Sequence, residues 1–169
     1  MKHLKTLLLA AIFTVGLGGV ANAQKIAHIN TDKLLAEMPA TKAMKADLEK
    51  LNKTYQDEIE GLFKKLEAKV KKYEAEGKSQ TQEENQKRAI EVNQDRQKIE
   101  QARQAAAQEM QKKYQEKTIP ILEKAEKAIK DVAAEKGFIY VLDASPGKGL
   151  IVYDKGDDIY NAVKTKLGF

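Results

Sequence analysis

One run, Thr41 to Tyr114, decides most of what this chain can become. It holds no proline and only two glycines, Gly61 and Gly77. Along it Met44, Leu48, Leu51, Tyr55, Ile59, Leu62, Leu66, Val70 and Tyr73 recur at steps of three and four, with mostly Lys, Glu, Asp and Gln between them. That period predicts an amphipathic helix with one narrow apolar seam. The seam repeats every eleven residues, as in Met44–Tyr55–Leu66. Such a repeat predicts a nearly straight or slightly right-handed pairing rather than a heptad supercoil.

The pattern breaks at Gly77-Lys78-Ser79-Gln80-Thr81. Gly77 suits the position after a helix end. Ser79 or Thr81 suits the cap of the next helix, and Thr81-Gln82-Glu83-Glu84 has the capping-box spacing. A return helix follows, with Ala89, Val92, Ile99, Ala102, Ala106, Met110 and Tyr114 toward one side. Two long helices joined by a short turn predict an antiparallel hairpin. From Gln80 to Gln115 the return helix carries ten glutamines, and its seam is partly alanine. The pair reads as an arm held out in solvent with little reason to be rigid, and Gly61 offers a bend. A plain coiled-coil spacer is the simplest alternative.

The ends of the chain read differently. Residues 1–23 have a basic start at Lys2 and Lys5, an apolar stretch from Leu7 to Val20, and the small-residue site Ala21-Asn22-Ala23. This is the pattern of a cleavable secretory signal, and the apolar stretch is short for a membrane span. Cleavage before Gln24 removes two lysines, leaving 28 basic against 25 acidic residues, a net +3. An exported chain without cysteine has no disulfide framework. Lys25-Ile26-Ala27-His28-Ile29-Asn30 reads as a strand, and Thr31 or Asp32 as the cap of a short helix, Asp32 to Met38, ended by Pro39.

Beyond the arm, Pro120 should kink or restart the helix, which Gly137 ends. Phe138-Ile139-Tyr140-Val141-Leu142 reads as a buried strand, hairpin-paired with Leu150-Ile151-Val152-Tyr153. Asp157 or Asp158 caps a last helix carrying Ile159, Tyr160, Val163 and Leu167, with Gly168 at its end. The expectation is an α+β chain in three parts: signal 1–23, a β-rich body from 24–40 and 118–169, and a helical hairpin arm, 41–117, inserted between. So small a body buries little core and leaves sheet edges open, which favours oligomerisation. Ile26, Ile29, Val141, Leu142 and Ile151 are the residues expected at that interface.

Catalysis has little support. His28 is the one histidine outside the signal, no Cys/His cluster has metal-ligand spacing, and Ser145-Pro146-Gly147-Lys148-Gly149 lacks P-loop spacing. No cofactor is implied. Charge is more informative. Lys64, Lys65, Lys69, Lys71, Lys72, Lys78, Lys87 and Arg88 gather around the far end of the arm, against Glu67, Glu74, Glu76, Glu83 and Glu84. A basic arm end favours encounter with acidic clients or an anionic membrane surface, lipopolysaccharide among them. A merely soluble tip explains the same charges. Export makes nucleic acid an unsuitable partner.

The order of these parts resembles the OmpH/Skp family of periplasmic chaperones. The resemblance covers the whole chain and rests on the signal, the opening strand from Lys25 to Asn30 and the long charged hairpin. It is completed by the closing pattern Gly137-Phe-Ile-Tyr-Val-Leu-Asp143, Gly149-Leu-Ile-Val-Tyr153 and Asp157-Asp-Ile-Tyr-Asn-Ala-Val163. It implies a jellyfish-like homotrimer, with a β-rich body and three helical tentacles around a cavity. It implies ATP-independent holding of unfolded outer-membrane proteins in the periplasm. No catalytic residues come with it, and no lipopolysaccharide site can be matched residue by residue. The competing class is a structural spacer or envelope adaptor, which should carry lipoyl-like β halves and usually a membrane anchor. Neither is visible in the sequence.

Overall fold

The computed structural model describes residues 25–149 and 155–169. The signal segment and the strand expected at Leu150–Tyr153, Ile151 included, lie outside the described residues. In chain order the elements are β1 (Ile26–Ile29), α1 (Thr31–Glu37), α2 (Pro39–Glu76), a 3-10 turn (Gly77–Ser79), α3 (Gln82–Lys136), β2 (Tyr140–Asp143), β3 (Asp157–Asp158) and α4 (Tyr160–Leu167).

β1 is the centre of a three-stranded sheet in the order β2-β1-β3. Both neighbours run parallel to it, with Ile26 opposite Tyr140, His28 opposite Leu142, and Ala27 opposite both Val141 and Asp157. Parallel strands need a crossover, and here α1, α2 and α3 together form the one between β1 and β2. The two ends of the chain therefore meet in one sheet. Alternation puts Ala27 and Ile29 on the inner face, where both are buried, and Ile26 and Tyr140 on the outer face, where both are exposed. The inner face joins Leu34 and Met38, Met44 at the base of α2, Ile121 to Val132 of α3, and Ile159, Tyr160 and Val163 in a single core.

α2 and α3 lie antiparallel in a constant register. Bonded pairs recur along their length: Asp47–Lys117, Lys69–Asp95, Tyr73–Glu91 and Glu76–Arg88. All four pairs centre on Gln82, so the helices do not slip from base to tip. Leu66 and Ile99, which this register sets nearly opposite each other, are the buried residues of the distal seam. Most other seam residues are half-buried, because two helices cover only one narrow side of each other.

Several local expectations need comment or correction. Asn30, not Thr31 or Asp32, caps α1: its Oδ1 accepts from the Lys33 amide at 2.8 Å. Pro39 ends α1 as expected, the chain leaving helical backbone at Met38, and is itself the first residue of α2, where its missing N–H costs nothing. Gly77 keeps right-handed backbone, φ −56°, instead of the left-handed form. Side chains do that work: Asn85 Nδ2 donates to the Gly77 carbonyl at 2.9 Å and Ser79 Oγ to the Glu76 carbonyl at 2.8 Å. Finally, of the two outcomes expected at Pro120, a restart does not occur: α3 runs unbroken through it from Gln82 to Lys136. Pro120 is exposed, while buried Ile121 on one side and the Lys117–Asp47 pair on the other hold both flanks in helical phase.

Other signals act as read. Thr81 Oγ1 accepts from the Glu84 amide at 3.2 Å, and Gly137 ends α3 at φ 72°. The start of α4 differs from expectation: Ile159, not Asp157 or Asp158, stands at the cap position without a side-chain bond, and Asp158, at the end of β3, accepts from the Tyr160 amide at 2.8 Å.

Candidate interaction surface

The eight basic residues near the turn divide by what they touch. Arg88 is largely covered, its side chain 13% exposed. Its guanidinium reaches Glu76 at 2.9 Å and Glu84 at 3.4 Å, and lies 4.6 Å from the centre of the Tyr73 ring. Tyr73 in turn donates to Glu91 at 2.6 Å. Lys69 pairs with Asp95 across the helices, and that hydrogen bond raises the lysine and lowers the carboxylate from their ordinary pKa values. Arg88 and Lys69 thus hold α2 against α3. Lys64 pairs with Glu60 one turn back, in full solvent. Lys65, Lys71, Lys72, Lys78 and Lys87 are exposed and have no ion pair among the described residues. The structure therefore leaves five of the eight basic side chains available to a partner.

A feature outside the seam lies beside them. Phe63 is 51% exposed on α2. It lines a cleft of about 600 Å³ with Ile59 and Arg103, and a second of about 410 Å³ with Leu66, Val70, Lys71 and Arg96. The two clefts share Phe63 and form an apolar furrow on one side of the helix pair, edged by charge. One exposed aromatic is ordinary by itself; what sets Phe63 apart is that Ile59, Leu66 and Val70 line the same clefts, giving continuous apolar surface. The seam count passes over Phe63 because it falls one residue after Leu62, off the periodic positions. An apolar residue interrupting a charged face is the signal that could have found it.

The body carries a second apolar surface. Ile26, Tyr140 and Leu142 share the outer face of the sheet, and Ile139 beside them is 58% exposed. Of the residues expected at an oligomer interface, Ile26 and Leu142 lie on this face. Ile29 is 1% exposed and faces the protomer's own core, so it has no surface left for a partner. Val141 also packs against that core. Ile151 lies outside the described residues.

A polar cluster that pattern reading missed ties the two halves of the body. Asp143 at the end of β2 accepts from Thr31 Oγ1 at 2.7 Å and from Ser145 Oγ at 2.6 Å, and pairs with Lys148. Ser145 Oγ also accepts from the Asp32 amide at 3.1 Å. Partial burial would raise the Asp143 carboxyl, but the bonds from Lys148, Ser145 and Thr31 outweigh it and hold it well below the ordinary carboxylate range. Its partners are more than a hundred positions apart in sequence, which is why no local signal marks them.

Among the described residues no cluster of His, Cys, Asp or Glu could hold a metal ion, and no helix is long and apolar enough to cross a membrane. The fold defines a class of protein: a small α+β body extended by a long pair of helices, with exposed apolar residues on both. The family model for outer membrane protein (OmpH-like) matches residues 25–167, and the chain belongs to that family. A candidate outer membrane chaperone (OmpH-like) from Caulobacter crescentus CB15 has a similar fold, with a TM-score of 0.76 at 16% identity over 84% of this chain and 82% of that one. No curated protein matches the chain.

Proposed function

We propose that the protein is an ATP-independent holdase that keeps unfolded outer-membrane proteins from aggregating in the periplasm. The observation that carries this reading is the helix pair itself. Its outgoing helix is roughly 55 Å long, at about 1.5 Å per residue, and most of that length lies beyond the body, with an apolar furrow around Phe63 and five lysines near its end that have no ion pair among the described residues. Membership of the OmpH-like family supports an outer-membrane-protein chaperone. Capture of an unfolded chain needs many weak contacts with no fixed geometry, and a furrow edged by mobile charged side chains supplies them. Lysines on an exposed arm act chiefly on encounter, because salt screens them. Release then needs no nucleotide: a client leaves when its own fold or a membrane offers better burial.

The arms work as a set in this reading. A trimer formed through the outer face of the sheet, around Ile26, Tyr140 and Leu142, would point three helix pairs the same way and enclose a client between them. An anionic membrane surface or lipopolysaccharide fits the same lysines as a second partner.

The register sets the test. Removing Lys53–Gln111 and joining Asn52 to Lys112 through a short glycine linker leaves Pro39–Asn52 beside the end of α3 that faces it. We expect the shortened protein to fold and to lose protection of a urea-unfolded outer-membrane β-barrel protein in a light-scattering aggregation assay without nucleotide. Undiminished protection would remove the arms from the mechanism and favour a spacer.

A further inference from the structure

The glutamines of α3 are not scattered. Gln94, Gln97, Gln101, Gln104, Gln108, Gln111 and Gln115 recur at alternating steps of three and four. Ile90 continues the series toward the turn, and Ile119 and Leu122 continue it toward the body, and every one of these ten residues is exposed. They form one stripe, offset by about half a turn from Val92, Asp95, Ile99, Ala102 and Ala106, the residues on the side of α3 toward α2. No member is charged, although a third of the chain is Asp, Glu, Lys or Arg. Gln104 donates to Glu100 at 3.4 Å, and the other six glutamines make no side-chain hydrogen bond among the described residues. Solubility alone asks for neither the period nor the absence of charge.

We propose that this stripe is a hydrogen-bonding track for the main chain of an extended, unfolded polypeptide. The inference rests on the holdase reading and names what the arm grips besides side chains. A primary amide has the same donor and acceptor as a peptide group, so a row of glutamines offers partners to the unpaired N–H and C=O groups along a strand edge. Glutamine amides repeat at about 5 Å along the helix axis, and groups on one strand edge at about 7 Å. That difference of about 2 Å accumulates from step to step, so the three torsions of each glutamine bridge it over runs of three or four successive glutamines, and one strand segment engages such a run rather than the whole stripe. Neutrality matches a neutral, dipolar main chain and rejects no client for its charge. A second helix is a poor occupant, because its backbone is already bonded within itself and seven successive glutamines give it almost no apolar surface to bury.

The test uses the whole protein with Gln94, Gln97, Gln101 and Gln108 all changed to Ala. None of the four bonds within the chain and Ala favours helix, so helicity by circular dichroism is unchanged. The probe is a neutral fluorescent peptide of about ten residues alternating Thr and Val, beside the same peptide N-methylated along one edge. We expect wild type to bind the plain peptide about ten-fold more tightly than the methylated one, equivalent to one or two net hydrogen bonds. The difference should persist at high salt, and the four-fold variant should bind both peptides equally weakly. Equal affinity of wild type and variant for the plain peptide overturns the proposal, as does indifference of wild type to methylation. A variant that changes assembly mass by light scattering while its peptide affinity is unchanged makes the stripe a contact between copies, and also overturns it. A wild type that fails to protect an unfolded outer-membrane protein at all overturns the holdase reading itself.

Discussion

Asp143 shows how much one side chain can decide in a body this small. It joins the strand β2 to the start of α1 through Thr31 and Ser145, and Lys148 closes the cluster. Because its carboxyl sits below its ordinary pKa when folded, the stability it contributes is fully present above about pH 4 and is lost as pH falls through the lower folded value. Asp143→Asn should cost about 1–3 kcal/mol at neutral pH and flatten the acid limb of stability against pH. Urea melts between neutral pH and acid measure both effects. At the other end of the molecule, Arg88 is held by two carboxylates and a ring. A lysine keeps the charge and loses the planar fork. Arg88→Lys should therefore speed amide exchange from Glu84 to Val92 and leave exchange in β1 untouched. Equal exchange in wild type and variant would show that the cluster does not hold the turn.

At the scale of elements, the two long helices are paired but thinly glued. Among the described residues their distal seam buries only Leu66 and Ile99, whereas the body buries twelve in one cluster. The distal pair should therefore open more often than the body, seen as faster amide exchange around Gly77 than in Ala27–Ile29. Gly61 lies within α2, and a methyl group there would meet nothing within 4 Å. Gly61→Ala should raise stability by up to about 1 kcal/mol through helix propensity and slow exchange on either side. If α2 must bend at Gly61 to admit clients, the same variant will be more stable and hold them less well. Thermal melts and aggregation assays on one preparation separate the two effects.

For the whole molecule, the sheet decides how the protein can assemble. Its inner face is covered by the protomer's own helices, and its outer face is open. Leu142→Asp should dissociate the proposed oligomer into folded protomers, while Ile29→Asp should unfold the protomer, because that side chain is already inside. Light scattering with circular dichroism distinguishes these outcomes, and a monomeric wild type at micromolar concentration would remove the oligomer from the account.

Local sequence determined the long helices and the turn between them and narrowed the next cap to Ser79 or Thr81, because each depends on residues within a few positions of one another. It also placed the basic residues near that turn. Tertiary structure decided which of those residues remain free. Arg88 and Lys69 look like their neighbours in sequence and differ only because Glu76 and Asp95 face them from the opposite helix. It carried α3 through Pro120, since packing at Ile121 outweighs a local preference to break. It turned Ile29 inward and Leu142 outward, because a two-residue period names two faces but not which one the helices will cover. It also built the Asp143 cluster from residues at opposite ends of the chain, a juxtaposition that exists only once β1 lies between its two parallel neighbours.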